Sequence, residues 1–128
     1  MIKDPSQIIY DELFKLCVGL GVDTYNGLPD KDAPYPFVSM GESFDQGTEF
    51  KQSTALSGSL QQTLHVFGLA DNRKQVTDII HDIKLGSRFL RSPNFTVQNI
   101  HSITQNENPD NSKPLLHAVM TIDCSYFV

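Results

Sequence analysis

The C-terminal residues of the chain alternate between apolar and polar side chains with a period of two. From Leu116 to Val128 the even positions are all apolar, whereas the odd positions include His117, Thr121, Asp123 and Ser125. Successive side chains of a strand point to opposite faces of a sheet, so this pattern predicts a strand with one buried face. The fold must therefore contain a sheet that other elements cover on one side.

Two helices are predicted to provide that cover. The first begins after the N-cap residue Asp4 and is ended by Gly19 and Gly21, and the second runs from Asp71 to Leu85, with Gly86 marking its exit. Each helix carries a single apolar stripe at helical spacing, which favours packing on a sheet. The stripes consist of Ile9, Leu13, Leu16 and Leu20 in the first helix and Val76, Ile79, Ile80 and Ile83 in the second.

Weaker alternation predicts further strands at Ser57 to Phe67, Phe95 to Ile103, Val22 to Tyr25 and Phe37 to Phe44. The order is helix, two strands, long loop, strand, helix, two strands. We predict an α+β fold in which residues 1–128 form a single domain. A mostly antiparallel sheet of four to five strands carries two helices packed on one face, in the order α-β-β-β-α-β-β. A polar loop is expected between the last two strands, from 105 to 114.

Charge is distributed unevenly along the chain. The formal net charge is −5 and the Lys and Arg residues form no cluster, which argues against electrostatic binding of DNA or an anionic membrane. Residues 1–50 carry nine acidic and three basic side chains, a net of −6, whereas residues 51–128 carry six and seven, a net of +1. The asymmetry is consistent with chance solvation of a monomer or with oppositely charged faces that meet in a head-to-tail assembly.

The sequence contains none of the common catalytic or nucleotide-binding motifs. Its four histidines lie on separate predicted elements; His65 and His117 could face each other across strands, but unliganded sheet histidines are the favoured interpretation. Asp30 and Asp32 stand beside prolines, as solvated turn residues commonly do. We therefore expect no enzymatic activity, no metal and no cofactor.

The chain has no apolar run long enough to span a bilayer and begins without a signal peptide, which indicates a soluble protein made in the cytoplasm. Cys17 and Cys124 are far apart in sequence and are expected to be small core residues.

Several segments together resemble one family of viral proteins. The N-terminal helix leads through Gly21 to Tyr25 into a proline-containing segment and then into Tyr35 to Glu42, "YPFVSMGE". A long polar loop with Lys51 follows, then the strand Leu60 to Phe67, the helix Asp71 to Leu85, and a closing pair of strands that ends in Tyr126 or Phe127. Over nearly its whole length the chain resembles the tail terminator proteins of long-tailed bacteriophages, also called tail-to-head joining or tail completion proteins. It departs from them at 66–68, where the family often has a tryptophan.

The resemblance implies a non-enzymatic virion protein of the tail or neck, assembled in the host cytoplasm. Its copies would form a ring, expected to be a hexamer, that caps the tail tube and ends tail elongation. The implied partners are other copies of the chain, the major tail tube protein and the head connector or stopper protein. DNA would pass through the lumen without specific binding. Two alternatives stay open: another neck protein, for head completion or tube formation, and a small enzyme or ligand-binding domain with a pocket between helices and sheet.

The segment Phe44 to Ser57 is predicted to be a long loop that is mobile in the free protein and orders against the tail tube or a neighbouring subunit, with Phe50 as its anchor. A hairpin turning at Gly47 is the alternative. The prolines at 29, 34 and 36 would hold the preceding connector extended for docking. We expect the acidic N-terminal part to contact a basic surface that carries Lys51, Arg73, Arg88 or Arg91. The candidate interface residues are Phe44, Gln46, Phe50, Lys51, Gln52, Asp30, Asp32, Arg88 and Arg91.

Overall fold

A computed structural model describes the backbone of residues 3–50, 56–109 and 113–127, and the side chains of the same ranges except 48–50 and 56. These residues form two helices and five strands in the predicted order. They are α1 Pro5–Gly19, β1 Asp23–Tyr25, β2 Phe37–Phe50, β3 Leu56–Leu69, a 3-10 turn at Ala70–Asn72, α2 Arg73–Arg88, β4 Phe95–Glu107 and β5 Leu115–Phe127. The strand order across the sheet is β1-β2-β3-β5-β4.

The sheet is mixed, because β1 runs parallel to β2 whereas the other neighbouring strands are antiparallel. The even positions of β5 are buried, as the alternation predicts. They pack with the buried stripes of both helices into one core on that face of the sheet. The opposite face of the sheet, here called the open face, carries the odd positions of β5. The predicted α+β class, element order and helix placement are confirmed.

The start of α1 follows from its capping residue. The Asp4 carboxylate accepts a hydrogen bond from the Ser6 N–H at 2.9 Å, and Pro5 occupies the first helical position. The buried stripe consists of Ile9, Leu13 and Cys17, each one turn apart. The prediction that Leu20 extends this stripe is wrong, because Leu20 is already the C-cap residue and is 38% exposed.

The predicted exit of α2 at Gly86 is also wrong, since the helix continues to Arg88. A Cβ atom at Gly86 would lie 2.5 Å from Cδ1 of Leu16 in α1. The glycine therefore permits the close approach of the two helices, and it does not terminate the second one.

The predicted long loop from Phe44 to Ser57 is mostly strand. Phe44 pairs with Gln61, and the last described pair before the turn is Phe50 with Leu56. Two register shifts, between Met40 and Ser43 and between Asp45 and Thr48, interrupt the ladder. Each shift reverses which face a side chain occupies, so the sequence shows no clean period of two.

The hairpin alternative is the correct one, but Gly47 does not form its turn. With a φ of 105°, Gly47 lies inside the second bulge of β2, and the chain reverses between Phe50 and Leu56. The strand β4 is likewise longer than predicted, because it continues to Glu107, which pairs with Leu115. The loop expected at 105–114 is therefore shorter, because residues 105–107 belong to β4.

Candidate assembly surfaces

The connector between β1 and β2 presents two of the candidate acidic residues at the protein surface. The Ala33 N–H donates to the Asp30 carbonyl oxygen at 3.0 Å, which closes a turn that leaves Asp30 and Asp32 exposed. Leu28 precedes this turn and is 78% exposed, the largest value among the bulky apolar side chains described. The connector thus combines an exposed apolar side chain with two exposed carboxylates.

Two candidate basic residues lie together at the C-terminal end of α2. Arg88 is the last residue of the helix, and its guanidinium carbon lies 5.9 Å from the ring centre of Phe89. Arg91 follows in the loop toward β4 and donates to its neighbouring carbonyl at Leu90 over 3.4 Å. Both arginines and Phe89 are exposed, so this corner offers positive charge beside apolar surface.

A groove of about 470 Å³ lies between α2 and β4, and one of its walls includes Arg88. The residues that line it are His81, Lys84, Leu85, Arg88, Val97, Gln98, Asn99 and Ile100. His81 and Lys84 were not among the residues predicted to form an interface. The spacing of 81, 84 and 88, which is typical of one helix face, is the signal that could have indicated them.

The open face of the sheet carries a row of stacked rings that crosses three strands. Tyr35 stacks on Phe37 with ring centres 5.4 Å apart, Phe37 contacts Phe67 at 5.2 Å, and Phe67 stacks on His117 at 4.1 Å. Cross-strand aromatic pairs of this kind stabilise a sheet through the side chains of its exposed face.

His117 joins this row to a short hydrogen-bonded chain. His65 Nδ1 lies 2.8 Å from His117 Nε2, and His117 Nδ1 is bonded to the Glu107 carboxylate. Burial lowers the pKa of His65, and the neighbouring His117 adds to this shift, against the attraction of Glu42 and Glu107. The predicted approach of His65 and His117 is confirmed. Within the described ranges, no group of three or more His, Cys, Asp or Glu residues is arranged to hold a metal ion.

The candidate residues of the hairpin are only partly described. Phe44 is 59% exposed and Gln46 is also exposed, both near the bulges of β2. Phe50 is placed by its backbone alone, as the last residue of β2, whereas Lys51 and Gln52 lie outside the described residues. A role for Phe50 as an anchor therefore stays a prediction.

Tyr126 of β5 contacts the bulged segment of β2 around Asp45 and Gly47. The Tyr126 hydroxyl donates to the Asp45 carboxylate at 3.0 Å. Burial, and to a lesser extent this hydrogen bond, raises the pKa of Tyr126 to about 12. Gly58 lies against the same ring, and the Gly47 N–H donates to Asp45 at 3.0 Å. These contacts connect the bulged segment of β2 to β5, and the mobility of residues 44–57 in the free protein stays a prediction.

Neither helix in the described part of the chain is long and apolar enough to cross a membrane.

The chain is similar to a known protein in structure but not in sequence. The sequence matches no known family profile and no curated protein. A chain in the solved structure described as "Virion of native gene transfer agent (GTA) particle" superposes with a TM-score of 0.61 at 11% identity. The alignment covers 94% of this chain and 92% of that one, so the two share a fold over nearly their whole lengths.

Proposed function

We propose that this chain is a virion structural protein that caps the tail tube as a ring, ends tail elongation and forms the interface between tail and head. The observation that carries this proposal is the fold shared with a chain of a gene transfer agent virion over 94% of the present sequence. The resemblance of its segments to tail terminator proteins supports the more specific role of a cap.

The placement of charge supports a ring. The acidic connector reaches the start of β5, where Lys31 lines a depression with Leu115, and the basic end of α2 lies beside Val97 and Ile100 of β4, which pair toward the other end of β5. A contact between two different surfaces of identical subunits is heterologous, and it generates a ring when the rotation closes. A surface that matched only itself would instead give a two-fold dimer.

The overall charge suits a channel for DNA. With a net charge of −5, the ring would repel the phosphate backbone. Tight DNA binding requires many Lys or Arg contacts to phosphates, and it would impede passage through a lumen. DNA is therefore proposed to pass through the ring without specific binding.

The polar clusters support a structural role over a catalytic one. Both ring nitrogens of His117 are engaged by His65 and Glu107, and the groove beside α2 is open to solvent. An active site typically holds its reactive groups in a concave, largely desolvated pocket. We propose no catalytic residue, metal or cofactor.

The proposed function is tested by polymerising the tail tube protein of the same virus with and without this chain. We expect tubes that end in a ring of this protein and cease to grow, seen by electron microscopy as end density and as a narrowed length distribution. Native mass spectrometry of the ring gives its copy number, expected to be six from the resemblance. Unchanged tube growth without end binding would refute the proposal.

The same experiment separates the second candidate, another neck protein. The shared fold with a virion chain does not distinguish a cap from a tube-forming or head-completion protein. A tube protein would itself polymerise into long tubes, and a head-completion protein would bind the head connector without affecting tube length.

A further inference from the structure

The groove between α2 and β4 combines an apolar floor with a cationic rim. Leu85, which is 42% exposed, and Ile100 contribute apolar surface, while Lys84 and Arg88 contribute positive charge. The β4 strand omits Gln98 from its pairing with β5, because the register shifts between 97 and 99 at this point. The bulge lies in the wall of the groove and makes this edge irregular.

The two sides of α2 differ in charge. His81, Lys84 and Arg88 follow one face of the helix and line the groove toward β4. Asp78 and Asp82, one turn apart, line a different depression toward the end of α1 and the start of β1. The positive potential of the groove is therefore not cancelled by the carboxylates of its own helix.

The connector has the complementary character. Leu28 supplies an exposed apolar side chain, and the turn just after it presents Asp30 and Asp32. The intervening Lys31 lines a separate depression together with Tyr35 and other residues. Pro29 and Pro34 restrict the backbone on either side of the turn, which reduces the entropy lost when such a segment docks.

The connector and the groove of one chain cannot meet. Lys31 of the connector lines a depression with Leu115, at the start of β5, whereas the groove residues Val97 and Ile100 pair with Cys124 and Ile122, toward its end. The stretch of β5 from Leu115 to Ile122 spans roughly 23 Å at the usual rise per residue of a strand. The partner of the groove must therefore come from another molecule, and charge and apolar complementarity favour a second copy of this chain.

We propose that the α2–β4 groove of one subunit receives the connector of the next, with Leu28 packed on Leu85 and with Asp30 and Asp32 paired to Lys84 and Arg88. This contact is heterologous and repeats around a ring, and so it rests on the proposed function and specifies its subunit interface. The apolar contact at the centre supplies affinity, whereas the surrounding charges select the partner and the orientation.

A disulfide trap tests the contact directly. Chains with Leu28→Cys are mixed with chains with Leu85→Cys under mild oxidation, both in concentrated solution and on capped tail tubes. Two cysteines cross-link only when their Cα atoms approach to about 4.4–6.8 Å. We expect a covalent dimer in the mixture and a ladder of oligomers from the doubly substituted chain. The native Cys17 and Cys124 are 0% and 1% exposed, and burial raises the pKa of both thiols to about 12, so they should not contribute.

A second exposed cysteine provides the matched control for position. Ile103 lies on β4, the strand that forms one wall of the groove, and is 68% exposed, but it occupies the open face away from the groove. Pairing it with Leu28→Cys should give at least about tenfold less cross-linked product than the Leu85 pair, since only the latter is held in register. Equal yields from both pairs would show random collision and would overturn the inference.

Charge reversal tests the selectivity of the contact. In chains that carry both trap cysteines, Lys84→Glu with Arg88→Glu, or Asp30→Lys with Asp32→Lys, should each reduce the cross-linking yield about tenfold. Mixing the two reversed chains should restore it, because each connector then meets a groove of opposite charge. Arg73→Glu with Lys74→Glu at the other end of α2 is the control. Arg73 was one of the alternative basic contacts predicted from the sequence, but neither residue lines the groove, so the yield should be unchanged. Failure of the mixture to recover would refute the pairing.

The outcomes separate this inference from the proposed function. Wild-type protein that caps tail tubes without a Leu28–Leu85 cross-link on those tubes would overturn the interface and leave the capping role standing. A specific cross-link in a protein that never caps tubes would support the interface and refute the capping role.

Discussion

Gly58 is predicted to be the position in the hairpin least tolerant of substitution. It pairs with Thr48 across the hairpin and with Tyr126 on the other side. A Cβ atom there would lie 2.2 Å from the Gly47 carbonyl oxygen and 2.5 Å from the Tyr126 hydroxyl. The first of these atoms belongs to the backbone and the second is held by Asp45, so neither can move away freely.

The expected cost of Gly58→Ala has two parts. Forcing an extra carbon into a packed site typically costs about 1–3 kcal/mol. Displacing the Tyr126 ring also breaks its hydrogen bond to Asp45, worth about 1 kcal/mol because the exposed carboxylate can bind water instead. The sum is about 2–4 kcal/mol of unfolding free energy, which a domain stable by about 5–15 kcal/mol can lose and still fold.

Urea unfolding followed by circular dichroism measures this cost. The slope of the unfolding free energy against urea concentration should be the same as for the wild type, because unfolding exposes the same surface. Gly27→Ala is the control, since a Cβ atom there meets nothing within 4 Å and the change should stay within about 0.5 kcal/mol. Tyr126→Phe alone should cost about 1 kcal/mol. Combined with Gly58→Ala it should cost less than the sum, because part of the clash disappears with the hydroxyl. A Gly58→Ala protein as stable as the Gly27→Ala control would refute the packing argument.

Three other predictions follow from single contacts. Burial lowers the pKa of His65 below its usual 6.5, so at decreasing pH the unfolded chain binds the proton first and the free energy of unfolding should fall below pH 6.5. His65→Asn should make this fall smaller, as measured by the urea concentration at the unfolding midpoint above and below pH 6.5. Gly86→Ala should lower the free energy of unfolding by up to about 2 kcal/mol, because overpacking against Leu16 costs about 1–3 kcal/mol and the helix propensity of alanine recovers only about 1 kcal/mol. Replacing residues 51–55 by an Asn-Gly turn should preserve cooperative unfolding, since two-residue turns of this type join hairpin strands. It should abolish tube capping, because Lys51 and Gln52 are predicted contacts with the tail tube or a neighbouring subunit; a shortened protein that still caps tubes would refute that prediction.

The sequence was sufficient to predict the elements whose pattern is local. The alternation of β5 and the apolar stripe of α2 each follow from burial on one side, and the Asp4 cap follows from an unsatisfied helix terminus. Because these signals depend on neighbouring residues of the same element, tertiary context did not alter them.

The errors arose where packing between distant residues overrides the local signal. Glycine is typical of a helix end, which is why Gly86 was predicted to end α2. The structure instead explains Gly86 by the approach of Leu16, and that contact joins two different helices. The two bulges of β2 shift the alternation twice within one strand, so periodicity could not identify the hairpin. The groove was missed for a related reason: half of its lining belongs to α2 and half to β4, and only their juxtaposition makes a surface.

The irregular edges of the sheet, at β2 and β4, are consistent with a subunit that does not assemble with other copies through its free strand edges. Within the described residues, β2 has no strand partner on its outer side beyond Ser39, and β4 forms the opposite edge of the sheet. Bulges interrupt both strands, between 40 and 43 and between 45 and 48 in β2 and between 97 and 99 in β4. Because a bulge breaks the straight row of N–H and C=O groups, it opposes pairing of one free edge with another. Under the proposed function, the side-chain contact between connector and groove would then be the main attraction between copies. A weak contact of that kind closes a ring efficiently only when the end of the tail tube holds the subunits side by side.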